Sequence, residues 1–288
     1  MSSVGPWRDR PAGEVRVDSL PVNGLTTRVL AAGRQARGEA VVLIHGGPGS
    51  ADDWAQLLPE IGAIAPAIAF DLPGFGKADR PRDWGYSPNE WATFVAAVLA
   101  ELGVTRAHLV LNDLGGSAGL AWAAAHPDAI ASAVLLNTGA LAGYRWHPLA
   151  RAHRVPVLGR VVALTARLGL RTTMRLYEPT LPGTVLTRWR EDFDWGTRRA
   201  LLRFYRAMPT STFGRIAPDL ARLDRPALVV WGARDRFVPI DQAERERQCF
   251  PSASIVRLDA SGHYPHLDDP HAVADVVTRF LKEQLSLS

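Results

Sequence analysis

The chain has 288 residues, a formal net charge of +4, 47% hydrophobic and 22% charged residues, and a single cysteine. That length holds one good core, alone or with an inserted lid, and the composition is that of an ordinary globular protein rather than a disordered or fibrous one. Cys249 alone excludes an internal disulfide, and the scattered arginines, densest near Arg188 to Arg206, read as solvated helix faces rather than a nucleic-acid patch.

The elements follow in order. Residues to Gly13 are polar and proline-rich and read as a loose lead-in, with no apolar stretch of the kind a signal peptide needs. EVRVDSL and TTRVLAAG read as two strands joined at Asn23-Gly24. AVVLIHG (40–46) is a short β-branched apolar run ending in glycines, the pattern of a buried parallel strand. Asp52 to Ile61 has helical spacing, and AIAFD (67–71) is a second strand halted by LPGFG, with Asp71 in a capping or turn role. SPNEWATFVAAVLAEL (87–102) is an amphipathic helix with Ser87 as N-cap and Pro88 in its first turn. HLVLND (108–113) is a third strand, Gly116 to His126 an alanine-rich helix, and AVLLN (133–137) a fourth strand.

Alternation stops after Gly139, and no strand run occurs up to about Ile216; the segment is rich in Arg, Trp and Leu with helical periodicity. It resumes with PALVVWG (226–232), a helix around Gln242 to Cys249, SIVRLD (254–259) and a closing helix from Pro270 to Leu285. The expectation is an α/β fold, a mostly parallel twisted sheet flanked by helices, with residues 1–139 and 216–288 as the core. Residues 140–215 form a helical cap, being too many for a structureless loop. No run approaches ~18 apolar residues, so no spanning helix is expected. The protein is expected to be cytoplasmic, with no membrane or nucleic-acid partner, as a monomer or a homodimer.

Three acid/base residues fall at or just beyond strand ends: Asp113, Asp235 and His263. Functional groups of open α/β sheets gather at that edge. The order nucleophile, acid, histidine is also that of the α/β-hydrolase triad. With HGGPGS (45–50), DLPGFGKAD (71–79), NDLGG (112–116), WGARDRFVP (231–239) and ASGHYPHLDDP (260–270), the chain resembles the α/β-hydrolase superfamily over nearly its whole length. The resemblance makes Asp113 the residue presented on the strand-to-helix elbow, with Gly115 and Gly116 as the small residues a strained turn needs. Leu111 stands where the elbow usually has its first glycine.

A carboxylate nucleophile implies its own chemistry. With an ordinary pKa of ~3.9 it is ionised at neutral pH and needs no base to attack. Attack on an ester carbonyl would give a reactive anhydride, whereas attack on an sp³ carbon gives a stable alkyl ester. His263 then activates water to hydrolyse that ester, and Asp235 orients His263. This resembles the aspartate-nucleophile branch, the epoxide hydrolases and haloalkane dehalogenases, and implies neither cofactor nor metal.

The leaving group separates the two. Dehalogenases of the branch hold the halide with a tryptophan after the nucleophile, and with an asparagine after the HG pair or a second tryptophan from the lid; this chain has Leu114 and Gly47 at the first two places. HGGP matches the pattern of epoxide hydrolases, whose oxyanion hole would here be the N–H groups of Gly47 and Leu114. Those enzymes protonate the opened ring with lid tyrosines. Tyr205 resembles one of them, and Tyr177 is preferred over Tyr144 as the second. Trp54, Tyr144, Trp146, Trp189 and Tyr264 are pocket candidates, with Trp195 a further lid tryptophan; together they suggest a bulky or aromatic small-molecule substrate. His266 and His271 are expected at the surface or in caps. The alternatives are a haloalkane dehalogenase, a carbon–oxygen or carbon–carbon hydrolase using Asp113 as base, and a noncatalytic receptor.

Overall fold

The computed structural model describes residues 14–35, 38–141, 143–208 and 212–286. The lead-in to Gly13 lies outside the described residues. β1 (Arg16–Val22) and β2 (Leu25–Ala32) form an antiparallel hairpin. Its two turn residues, Asn23 and Gly24, both have positive φ (48° and 77°), which matches the twist of the flanking strands. β3 (Gly38–Ile44), α1 (Leu57–Gly62) and β4 (Ala67–Phe70) follow. The helix expected from Asp52 begins instead as a short 3₁₀ turn, Ala51–Trp54, capped by Ser50. α2 (Pro88–Glu101) has its Ser87 cap and Glu90 reciprocating in a capping box. β5 (Val104–Asn112), α3 (Leu114–Ala125) and β6 (Ile130–Leu136) complete the first half.

Between β6 and β7 run α4 (Pro148–Arg154), α5 (Pro156–Tyr177), α6 (Gly183–Asp192), α7 (Trp195–Ala207) and α8 (Thr212–Leu223). The expected lid boundary at residue 215 falls inside α8, which packs on α3 of the core. β7 (Ala227–Gly232), α9 (Asp241–Arg245), β8 (Ser254–Leu258), α10 (Pro265–Asp268) and α11 (Pro270–Ser286) close the chain. The helix expected to reach Cys249 ends at Arg245 and finishes as a 3₁₀ turn.

Among the described residues one eight-stranded sheet forms, in the order β1-β2-β4-β3-β5-β6-β7-β8. The pairs β1–β2 and β2–β4 are antiparallel and the rest parallel. Side chains alternate between two cores. Val42, Ile44, Leu109, Leu111 and Val229 face α2, α3 and the lid, while Val41, Leu43, Val110 and Val230 face α1 and α11. Strands covered on both faces must be apolar at every position, which is why they read as continuous runs rather than alternations. Parallel register brings the ends of β5, β6 and β7 side by side, and the loops after them carry the site.

Candidate active site

Asp113 leaves β5 and precedes α3 with φ 46° and ψ −116°, a conformation that costs a non-glycine residue roughly 1–3 kcal/mol. The turn is held because α3 starts tight against β3 and the loop after β6. A Cβ on Gly115 would lie 2.1 Å from the Ile44 carbonyl oxygen, and one on Gly116 would lie 2.1 Å from Thr138 Oγ1. Leu111, in the place of the usual first glycine, is accommodated by another: a Cβ on Gly119 would lie 2.5 Å from its Cδ2. Its neighbour Asn112 is buried and donates to the carbonyls of Leu136 (2.8 Å) and His263 (3.1 Å), tying the elbow to the histidine loop.

His263 lies between two carboxylates. Its Nδ1 is 2.6 Å from Asp235 Oδ2 and its Nε2 is 3.5 Å from Asp113 Oδ1. Burial disfavours the imidazolium, but Asp235 and then Asp113 outweigh it and hold the His263 pKa well above its ordinary value. Asp235 is buried and fully engaged: Oδ1 accepts from the N–H groups of Phe237 (2.7 Å) and Val238 (2.8 Å), and Oδ2 from Asn137 Nδ2 (2.8 Å). Asn137 follows β6 at φ 45° and also accepts the Gly232 N–H at 2.8 Å.

The Asp113 carboxylate is divided between two environments. Oδ2 accepts the Gly47 N–H at 2.8 Å, and the Leu114 N–H bonds to the same carboxylate. Oδ1 faces His263. Burial works against the charge, but His263 and the two N–H donors prevail, so Asp113 titrates below its ordinary value. The loop that supplies Gly47 is clamped. His45 donates from Nδ1 to the Gly46 carbonyl (2.8 Å) and accepts the Leu72 N–H at Nε2 (3.0 Å), while the Tyr264 hydroxyl donates to the Gly47 carbonyl (2.5 Å).

Asp113 opens onto a cavity of about 210 Å³ between core and lid. Of the residues singled out in the sequence, Gly47, Leu114, Tyr144, Trp146, Tyr205, His263 and Tyr264 line it. The Tyr205 ring is buried beside Trp146, His147 and His153. Burial and the negative charge of Asp113 push its phenol well above the ordinary range, so it stays protonated. Tyr144 has its hydroxyl committed: it donates to the Phe237 carbonyl at 2.7 Å and accepts the His147 N–H at 3.2 Å.

Other candidates fall elsewhere. Tyr177 is outside the cavity lining, its ring stacked on Phe237 at 4.7 Å because the C-terminal end of α5 passes over that loop. Trp54 is wholly buried in the α1–α11 core, stacked on His266 at 4.3 Å. Trp189 is an anchor: α6 buries its indole, whose N–H needs an acceptor and takes Asp53 at 2.9 Å. Trp195 stands exposed under Arg198. His266 is not at the surface; it is buried, and burial pushes its pKa down to about 3.

Three participants have no clear mark in the sequence. His147 caps α4, its Nδ1 accepting the Ala150 N–H at 3.2 Å, so the ring proton is on Nε2. It lines the cavity, and burial together with His263 lowers its pKa to about 4, leaving a neutral N–H donor. Its only signal was a cap residue before Pro148. His153 lines the cavity behind Tyr205. Glu178, the buried residue after α5, accepts the His263 N–H at 2.8 Å and so joins the lid to the histidine loop. Burial, then Asp235 and Asp268, push its pKa up to about 8 against the pull of His263. Among the described residues no group of three or more His, Cys, Asp or Glu could hold a metal ion. No helix among them is long and apolar enough to cross a membrane.

The sheet order, the elbow and the triad define a hydrolase of the α/β class, and residues 39–270 match the family model described as alpha/beta hydrolase fold: the chain belongs to that family. Among curated proteins it is similar to the 2-hydroxy-6-oxononadienedioate/2-hydroxy-6-oxononatrienedioate hydrolase of Burkholderia vietnamiensis, 29% identical over 85% of this chain and 87% of that protein. In fold it is similar to the epoxide hydrolase CorEH (TM-score 0.79, 20% identity, 93% of this chain and 99% of that one). It is equally similar to a loop variant of the haloalkane dehalogenase DbeA from Bradyrhizobium elkanii (TM-score 0.80, 20% identity, 95% and 98%).

Proposed function

We propose that this hydrolase opens epoxides through an ester on Asp113. The observation that carries the reading is the division of the Asp113 carboxylate. Oδ2 accepts the Gly47 N–H, the Leu114 N–H also bonds the carboxylate, and Oδ1 is directed to His263. A serine nucleophile needs that hole for a substrate carbonyl; a carboxylate held in it is placed to attack and then to be hydrolysed.

In the first step Asp113 Oδ1 attacks an epoxide carbon, the carbon–oxygen bond breaks, and its electron pair goes to the ring oxygen. That oxygen takes the Tyr205 phenolic proton, with the Nε2–H of His147 as second donor. The product is a hydroxyalkyl ester whose carbonyl oxygen, Oδ2, already sits in the hole. Esterification removes the Asp113 charge, so His263 loses one of the two partners that hold its proton, passes that Nε2 proton through water to the Tyr205 phenolate and becomes a base. It takes a proton from water, hydroxide adds to Cγ, and the oxyanion forms on Oδ2 between the two N–H groups. Collapse expels the diol oxygen, which takes the His263 proton. The Asp113 carboxyl proton passes to His263 Nε2, which restores the resting pair.

Two features support an epoxide over the alternatives. Leu114 brings no indole N–H next to the nucleophile for a departing halide. The dienedioate named for the curated relative is a dianion, and among the described residues lining the cavity none is Lys or Arg to receive a carboxylate. The relative nonetheless favours a second reading, carbon–carbon hydrolysis with Asp113 as base. The test is His263→Gln incubated with a panel of aryl and alkyl epoxides. Intact mass should rise by the mass of the epoxide, with the adduct mapping to Asp113. Wild-type diol formation with no adduct in the variant would overturn the covalent route. Turnover of ring-fission dienoates, but of no epoxide, would establish the second reading instead.

A further inference from the structure

α5 has two faces of opposite use. Val162, Ala166, Gly169 and Thr173, spaced i, i+4, i+7, i+11, line the cavity. Val157, Val161, Leu164 and Leu168 have the same spacing on the opposite side of the helix, and they are 75%, 49%, 61% and 85% exposed. A lid helix that turned its back to water would carry charge at those positions. Here it carries an apolar stripe with cations along one flank: Arg160, Arg167 and Arg171 lie beside it, and Arg175 continues it by a turn. No Asp or Glu occurs from Ala129 to Tyr177. Beside the stripe, Arg167, Arg171 and Arg190 line a groove of about 240 Å³ between α5 and α6, with Glu191 its only carboxylate.

We infer that this face docks on a membrane surface rich in anionic phospholipid. An apolar stripe flanked by arginines fits such a surface in two ways at once. The valines and leucines enter the acyl boundary, and the guanidinium groups meet phosphate headgroups, one of which the α5–α6 groove can receive. A second copy of this chain is the poorer occupant, since an antiparallel two-fold contact would bring the two arginine flanks to the same side with no acid on either α5 to pair them. Docking departs from the expectation of no membrane partner only at the surface, because nothing in α5 is long and apolar enough to span. It sets the cavity one helix, about 10 Å, from the lipid, so apolar substrates dissolved there lie next to the lid. The proposal does not rest on the epoxide reading.

The test is sedimentation of the full chain with vesicles of phosphatidylcholine alone, or mixed in equal parts with phosphatidylglycerol, at low and high salt. Wild type should pellet with the mixed vesicles at low salt and not with phosphatidylcholine. Arg167→Ala with Arg171→Ala should weaken binding roughly 25-fold, at about fivefold per cation near the surface. Leu164→Glu with Leu168→Glu should abolish it. These residues are exposed, so circular dichroism and Tm should stay at wild-type values in both double variants. Absence of binding to mixed vesicles overturns the proposal, as does equal binding to neutral vesicles or binding that survives both double variants. A wild-type dimer in light scattering that Leu168→Glu separates would assign the face to self-association and also overturn it.

Discussion

Glu178→Gln tests whether the carboxyl that joins the lid to the histidine loop keeps a proton near neutral pH. The buried carboxyl accepts the His263 N–H and titrates at about 8 rather than 4.5. Its folded-state pKa is raised, so between those values the folded protein keeps a proton that the unfolded chain has released. Stability from this group is therefore lost as pH rises, and linkage makes the loss about 2 kcal/mol between pH 6 and pH 8. Glu246, pushed to about 7 by burial, acts in the same direction but is common to both proteins. The glutamine carbonyl can still accept the His263 N–H, so only the titration is removed. Urea unfolding at the two pH values measures it: wild type should lose about 2 kcal/mol more than the variant over this interval. Parallel pH dependences would refute the buried, protonated state of Glu178.

Further outcomes follow from the same geometry. In ¹⁵N-histidine NMR, Asp113→Asn should lower the His263 pKa and Asp235→Asn should lower it further, since Asp235 is the stronger of the two charges on the ring. On the proposed epoxide route, Tyr205→Phe should reduce kcat about 10²-fold with little change in KM, measured as diol release, because there the phenol acts only once the ring oxygen gains charge. Asn137→Ala should cost roughly 2–4 kcal/mol in urea unfolding, since it removes a donor to buried Asp235 and strands the Gly232 N–H. Gly115→Ala should sharply reduce folded protein, because its Cβ meets the Ile44 carbonyl, which is fixed in the sheet.

What the amino-acid sequence determined by itself is local or periodic. Runs such as VVLI and LVVW, short, β-branched and stopped by glycine, read as strands covered on both faces. Ser87-Pro88 starts a helix, Asn23-Gly24 makes a hairpin turn, and glycines after Asp113 allow an elbow. Those signals place Asp113, Asp235 and His263 at strand ends, because parallel strands in one sheet bring such ends to one edge whatever the loops contain.

The lid follows no such rule. Its aromatic residues share one helical periodicity, yet Tyr205 lines the cavity, Tyr177 stacks outside it and Trp189 anchors α6 to Asp53. Which side chain meets the site depends on how each helix is rotated over the core, and the burial pattern of a helix does not encode what lies beneath it. Residues reached through a neighbour were equally hidden. Asn112 holds the His263 loop, Gly119 makes room for Leu111, and Glu178 meets a histidine 85 positions away. The chain by itself thus marked Asp113, Asp235 and His263 at the strand ends but not His147 or Glu178. Only the tertiary structure decided which protons they share, since hydrogen bonds and desolvation act through space rather than along the sequence.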